Sequence, residues 1–283
     1  MNDSKRYSVT AVLCGLLLFS TTATAQQTFG TPSNLAGVWT MTVSEGTHLV
    51  SFPLLPEDPT LENVLGDQLP GGEQWDEASR LVTVVGGVVD GAFYHSTDEE
   101  WQGTLDMLDT RRGYWLVIPE GAGEIDLEMV GAAMDADTID MGIIQPGMTL
   151  VSAGAPYPGS MSSSGMVQSG FSSSSYEETS DRVYKWEAGS LQPGWHAGQQ
   201  QGWQGSVGGF SPEAGYVVVV INPDGGFHWR RPRDLQTPPP LLPGGTLQVT
   251  APTPYSLPIP SLDVAPWEQQ DGSDNGKKKR EKR

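Results

Sequence analysis

The stretch Trp101-Gln102-Gly103-Thr104-Leu105, followed after seven residues by Gly113-Tyr114-Trp115, occurs twice in this chain. Its second appearance is Trp203-Gln204-Gly205-Ser206-Val207, again seven residues, then Gly215-Tyr216-Val217. The offset of 102 runs without a gap back to Leu81 and Val183, so that Gly87 faces Gly189 and Phe93 faces Trp195. Upstream, at an offset of 101, Gly46-Thr47-His48-Leu49-Val50-Ser51 faces Gly147-Met148-Thr149-Leu150-Val151-Ser152. Two ordered blocks that hold their register are what an internal duplication leaves behind, and they predict two modules of nearly equal length.

The residues inside each block predict β structure. His48 to Leu54 is an extended apolar run closed by Pro53 and Pro56. Leu81 to Val85 and Ala92 to Tyr94 read as strands paired around Gly86-Gly87, and Tyr114 to Ile118 as a buried strand. Ile125, Leu127 and Met129 alternate with acids, the pattern of a strand with one wet face. One short helix of two turns is expected in the first copy, with Asp58 as cap, Pro59 in the first turn and Leu61, Val64 and Leu65 on one face. In the second copy Pro158 to Ser180 is dense in Ser and Gly. The expectation there is a flexible loop and no helix.

Composition agrees with a mainly β class: 35 Gly and 22 Pro in 283 residues leave few uninterrupted helical stretches. The expected organisation is a secretory leader over 1–25, module one over 26–133, module two over 134–233, and a Pro-rich linker with a disordered basic tail over 234–283. The leader is read from Lys5 and Arg6, the short apolar run Val9 to Phe19, and Ala23-Thr24-Ala25 before Gln26. Leu13 stands before Cys14 where lipid attachment needs a small residue, so Cys14 reads as part of that run. It is the single cysteine, and the exported part would therefore have no disulfide, thiolate metal site or Cys nucleophile.

The chain carries 34 acidic and 16 basic residues, a net charge of −18. An acidic body argues against nucleic acid as a partner and against binding to anionic membranes. The basic residues crowd at the end, in Lys277, Lys278, Lys279, Arg280, Lys282 and Arg283. That tail is a candidate for docking on an anionic surface, with a plain solvated terminus as the alternative.

Signatures of catalysis are missing from the sequence. His48, His95, His196 and His228 lie far apart with no neighbour at metal-ligand spacing, and no G-x-S-x-G occurs. Asp271-Gly272-Ser273-Asp274-Asn275-Gly276 matches the first half of a calcium loop, but Lys282 falls where the closing acid should be. No metal or cofactor is expected. Among the many tryptophans, Trp101 and Trp203 with Tyr114 and Tyr216 read as repeated core. Trp186 and Trp195 differ between copies and are the candidates for stacking on a sugar ring.

The order G-x-x-L-V-S, then W-x-G-[ST]-[LV], then G-Y-[WV] with an apolar strand resembles a repeat of bacterial secreted and cell-surface proteins. That repeat opens on a "GWNLVS"-like strand and closes on a "GKGYW"-like one. The resemblance covers most of Gly46 to Trp229, with Thr47-His48 and Met148-Thr149 in place of the opening Trp-Asn. It implies an exported β-rich accessory module and no reaction. The expected function is a non-catalytic secreted or cell-surface structural or adhesion protein, its partner an extracellular polysaccharide or a cell-envelope component. Two alternatives stand beside it: a carbohydrate-binding accessory protein using exposed Trp side chains, and a hydrolase of unrecognised type with a carboxylate pair or a His–acid pair in a cleft.

Overall fold

The apolar runs around Tyr114 and Tyr216 become the second strands of two five-stranded sheets. A computed structural model describes residues 36–133, 138–232 and Leu262. The first sheet has β2 (Gly46–Ser51), β4 (Arg80–Val85), β5 (Val88–His95), β6 (Glu100–Gly103) and β7 (Gly113–Ile118), in the order β2-β7-β4-β5-β6. The second has β10 (Gly147–Val151), β12 (Arg182–Glu187), β13 (Ser190–His196), β14 (Trp203–Gly205) and β16 (Tyr216–Val220), in the order β10-β16-β12-β13-β14. Position for position, the two orders are the same. Every ladder between these strands is antiparallel.

Smaller sheets lie outside them. β1 (Ala36–Val43), β3 (Leu54–Leu55) and β8 (Ile125–Ala133) form the order β1-β8-β3. β9 (Thr138–Ile144) pairs with β17 (Phe227–Pro232), and β11 (Gly159–Ser160) pairs with β15 (Gly209–Phe210). The run His48 to Leu54 thus serves two sheets: β2 ends at Ser51, and Leu54 goes on to pair with Ala133 of β8.

Local chemistry sets the turns. The β4–β5 and β12–β13 hairpins close through two-residue loops, Gly86-Gly87 and Ala188-Gly189, with positive φ at all four positions (57°, 83°, 48° and 78°). Such loops match the right-handed twist of the strands they join. At the end of β6 and of β14, a Cβ on Gly103 would sit 2.2 Å from Gly91 O, and one on Gly205 2.3 Å from Pro193 O. Only glycine fits at either place.

Alternation along the central strands divides the apolar side chains among three clusters. Tyr114, Leu116 and Ile118 of β7 join Leu81, Leu127 and Met129 in one. Tyr216, Val218 and Val220 of β16 join Val183, Phe227 and Trp229 in a second. The residues between them face the other way: Trp115 and Val217 meet Leu49, Leu150, Val82 and Tyr184 in a third cluster shared by both sheets. Burial on both faces is why these strands are continuously apolar in sequence.

Contacts across the shared cluster are reciprocal. Ser51 N donates to Glu213 O and Ser152 N to Arg111 O, both at 3.0 Å. The Ser51 hydroxyl donates to Pro212 O and the Ser152 hydroxyl to Thr110 O, both at 2.5 Å. Residue i contacts j while the counterpart of j contacts the counterpart of i, the signature of an isologous interface.

Two local expectations are corrected. The first helix, α1 (Leu61–Val64), is a single turn, and its N-cap is Thr60, whose Oγ1 accepts from Asn63 N; Asp58 instead accepts from Thr60 N. Gly66, at φ 47°, ends the turn. The Ser/Gly-rich stretch of module two, expected to be a helix-free flexible loop, contains β11, the one-turn helix α2 (Met166–Ser169) and a 3₁₀ turn at Glu177–Thr179. Met161, Met166 and Phe171 anchor it in the second cluster. Its hydroxyls tie its own backbone: Ser164 donates to Met161 O, and Ser180 to Ser174 O and Tyr176 O. Three buried apolar residues outweigh the count of serines.

Candidate functional site

Strand β17 alternates strictly. Phe227, Trp229 and Arg231 are buried, while His228, Arg230 and Pro232 are exposed. Helix α2 lies beside this strand because Gly165 precedes it: at φ 72°, a Cβ there would come within 2.3 Å of Arg230 O. Two bonds fix the approach, from Trp229 Nε1 to Ser164 O (2.7 Å) and from Arg230 N to the Ser169 hydroxyl (3.1 Å). Between the helix and the strand a cleft of about 640 Å³ is lined by Ser162, Ser163, Gln168, Ser169, His228 and Arg230.

His228 Nε2 meets Asp140 Oδ1 of the neighbouring strand β9 at 2.6 Å. This bond, with a second from Gly142 N, holds the Asp140 carboxyl below its ordinary range. The side chain of Arg231 runs inward instead. It donates to Ala153 O and lies over the rings of Tyr157 and Phe210, 5.6 and 5.8 Å from their centroids.

At the matching place on β8 the charged side chains are acids. Offset by 102, His228 and Arg230 answer to Asp126 and Glu128 of β8. Asp126 accepts from the Thr42 hydroxyl (2.6 Å), and the backbone of Glu128 is held by the Gln68 amide through bonds of 2.7 and 3.0 Å. Gln68 and Ser169 are 101 residues apart, and each bonds to the matching residue of the outer strand. The positions match, and Arg230 stands where the other strand has Glu128. Comparing the matching strands of the two sheet systems for sign of charge would have marked Arg230 in the sequence.

The other histidines stand apart from it. His95 lies between Glu73 (3.7 Å) and Asp98 (3.1 Å), and Glu73 is held below its ordinary value chiefly by hydrogen bonds from Thr97 and Ser96. His48 contacts Ser44 O, and His196 the Ser173 hydroxyl. Among the described residues no group of three His, Cys, Asp or Glu side chains is arranged to hold a metal ion.

Of the sugar-stacking candidates, Trp186 is half-buried, donates to Thr47 O at 3.1 Å and meets Trp115 edge to face at 5.1 Å. It spans the contact between the two central sheets. Trp195 is half-buried on β13, and its Nε1 is buried without a hydrogen-bond partner among the described residues. The structure does not bring the two tryptophans together with the cleft lining. Trp101 donates to Gly66 O and packs at the edge of its cluster, as Trp203 does in the second module. The leader, the string Asp271 to Gly276 and the tail candidates Lys277, Lys278, Lys279, Arg280, Lys282 and Arg283 lie outside the described residues. Among the described residues no helix is long and apolar enough to cross a membrane.

Comparison with protein families, with curated proteins and with solved structures returns no match.

Proposed function

We propose that this chain is an exported, non-catalytic structural or adhesion protein, built from two copies of one β-module that pair with each other. The observation that carries the reading is the reciprocal contact set. Side chains repeated between the copies are engaged inside the molecule: Ser51 and Ser152 across the sheet contact, Tyr114 and Tyr216 within each module. Hydroxyls held in the same internal contacts at both places serve the architecture. The duplication, the likeness to the secreted β-rich repeat, and export through the leader over 1–25 all belong to this proposal. Two identical strand orders and the matched roles of Gln68 and Ser169 support it.

The test is co-sedimentation of the chain from Gln26 onward, beside a version ending at Gln270, with insoluble polysaccharides and purified cell envelopes. Retention of both forms in 0.5 M salt supports adhesion through the folded body. Retention lost with salt, or with Lys277 to Arg283, assigns the contact to the tail. If both forms stay in the supernatant, the adhesion reading fails and a purely structural role stands.

A second reading has one observation in its favour. The His228–Asp140 pair borders a cleft, which is the arrangement a hydrolase would need. Turnover of chromogenic esters or glycosides, abolished by His228→Ala, would replace the non-catalytic reading.

A further inference from the structure

The cleft between α2 and β17 stands out in an acidic chain. In a chain with 34 acidic and 16 basic residues, its lining contains an arginine, a histidine, three serines and a glutamine, and no carboxylate. Among the described residues the Arg230 guanidinium makes no ion pair, and its side chain is exposed. Asp140 stands opposite Arg230 in the β9–β17 ladder and feels its charge, but its carboxylate is bonded to His228. That bond engages Nε2 and leaves Nδ1 to face a ligand. Ser169 accepts from Arg230 N and retains its own O–H to donate. The matching face of module one carries Asp126 and Glu128, so the cationic character belongs to the second copy alone.

We infer that this cleft is a binding site for a carboxylate borne on a sugar: a short, mainly neutral oligosaccharide with a single uronic acid. Arg230 pairs with the carboxylate through its planar fork, and the serines, Gln168 and His228 Nδ1 exchange hydrogen bonds with the sugar hydroxyls. One exposed arginine suits one carboxylate. A net charge of −18 repels a dense polyanion, whereas a sparsely charged chain is little opposed at physiological ionic strength, where the screening length is about 8 Å. A volume of about 640 Å³ holds two to three sugar rings at most. The inference deepens the adhesion reading and rests on it for its biological sense, but its test uses a soluble ligand. Failure here leaves the sedimentation result standing, and the reverse holds as well.

The experiment is calorimetric titration of the full chain with xylobiose carrying one glucuronic acid, with unsubstituted xylotriose and with acetate, at 0.15 M salt. Saturable binding of the acidic sugar is expected, at least about ten-fold tighter than either control, and about ten-fold weaker in Arg230→Gln. Because Arg230 is exposed and its backbone N–H makes the bond to Ser169, the variant keeps the fold, which an unchanged melting curve verifies. No binding of the acidic sugar overturns the inference. So does equal binding of the neutral sugar, equal binding of acetate, or an affinity indifferent to Arg230→Gln.

Discussion

Gly113 and Gly215 meet where the two central sheets touch, and neither leaves room for a side chain. A Cβ on Gly113 would lie 3.2 Å from Gly215 Cα and 2.7 Å from Val151 O; one on Gly215 would lie 2.6 Å from Val50 O. Val50 and Val151 are themselves counterparts, so the same contact is made twice in opposite directions. Backbone atoms on the far side cannot move aside as a flexible side chain would. Gly113→Ala and Gly215→Ala should therefore each cost about 2–3 kcal/mol, the cost of overpacking a closed contact. Gly208→Ala, at a site open on all sides, should change stability by less than about 0.5 kcal/mol. Urea unfolding of the three variants checks this.

Each module has one buried tyrosine that ties down the loop before its own strand. The Tyr114 hydroxyl accepts from Asp109 N at 2.7 Å, and the Tyr216 hydroxyl from Ser211 N at 2.6 Å. Burial pushes both phenols up from their ordinary values, so they stay protonated across the useful pH range. Tyr114→Phe and Tyr216→Phe should each cost about 1–3 kcal/mol, since each strands a backbone donor. The two losses should be similar, read from the same unfolding midpoints.

Ala188 is the one non-glycine among the four hairpin-loop positions, at φ 48°. An alanine in the left-handed region costs roughly 1–2 kcal/mol, partly offset by the greater backbone entropy that glycine loses on folding. Ala188→Gly should stabilise the protein by about 0.5–1 kcal/mol, seen as a rise in Tm. Gly189→Ala, in the same loop, should lower it.

Asp109 supplies a pH signature. Burial raises its pKa, but hydrogen bonds from the Arg111 side chain and backbone, with the charges of Arg111 and Arg112, outweigh this and hold it below the ordinary value. A depressed folded pKa means stability that is present above the unfolded value of about 3.9 and lost as pH falls through the folded one. Asp109→Asn should thus be less stable than wild type at pH 7 by about 1 kcal/mol, allowing for solvent screening at this half-exposed site. The difference should shrink below pH 4. Asp181 slopes the other way: burial raises its pKa despite hydrogen bonds from Ser172 and Ile221 N–H, so its contribution declines as pH rises through that value.

What the sequence discloses is what the fold needs twice. Gly103 and Gly205, Gly113 and Gly215, and Tyr114 and Tyr216 recur because close backbone approach or a buried hydroxyl admits no substitute. From them the strands of both central sheets are legible. Elements whose role is kept by different residues are hidden. Gln68 and Ser169 hold the matching outer strands by unlike side chains, so α2 has no sequence echo of α1. Composition misleads over Pro158 to Ser180, where Met161, Met166 and Phe171 decide the structure and the serines only decorate it. The cleft escapes for a related reason: it rests on a difference between β8 and β17, Glu128 against Arg230 and Asp126 against His228.

The central claim is that the two modules form one body through their shared cluster, and native-state hydrogen exchange tests it most directly. Amides of β7 and β16 should exchange with the same opening free energy at each urea concentration, because neither sheet keeps its buried face when the other unfolds. Amides of one strand opening at clearly lower free energy, while the other stays protected, would contradict it and leave two independent beads on one chain.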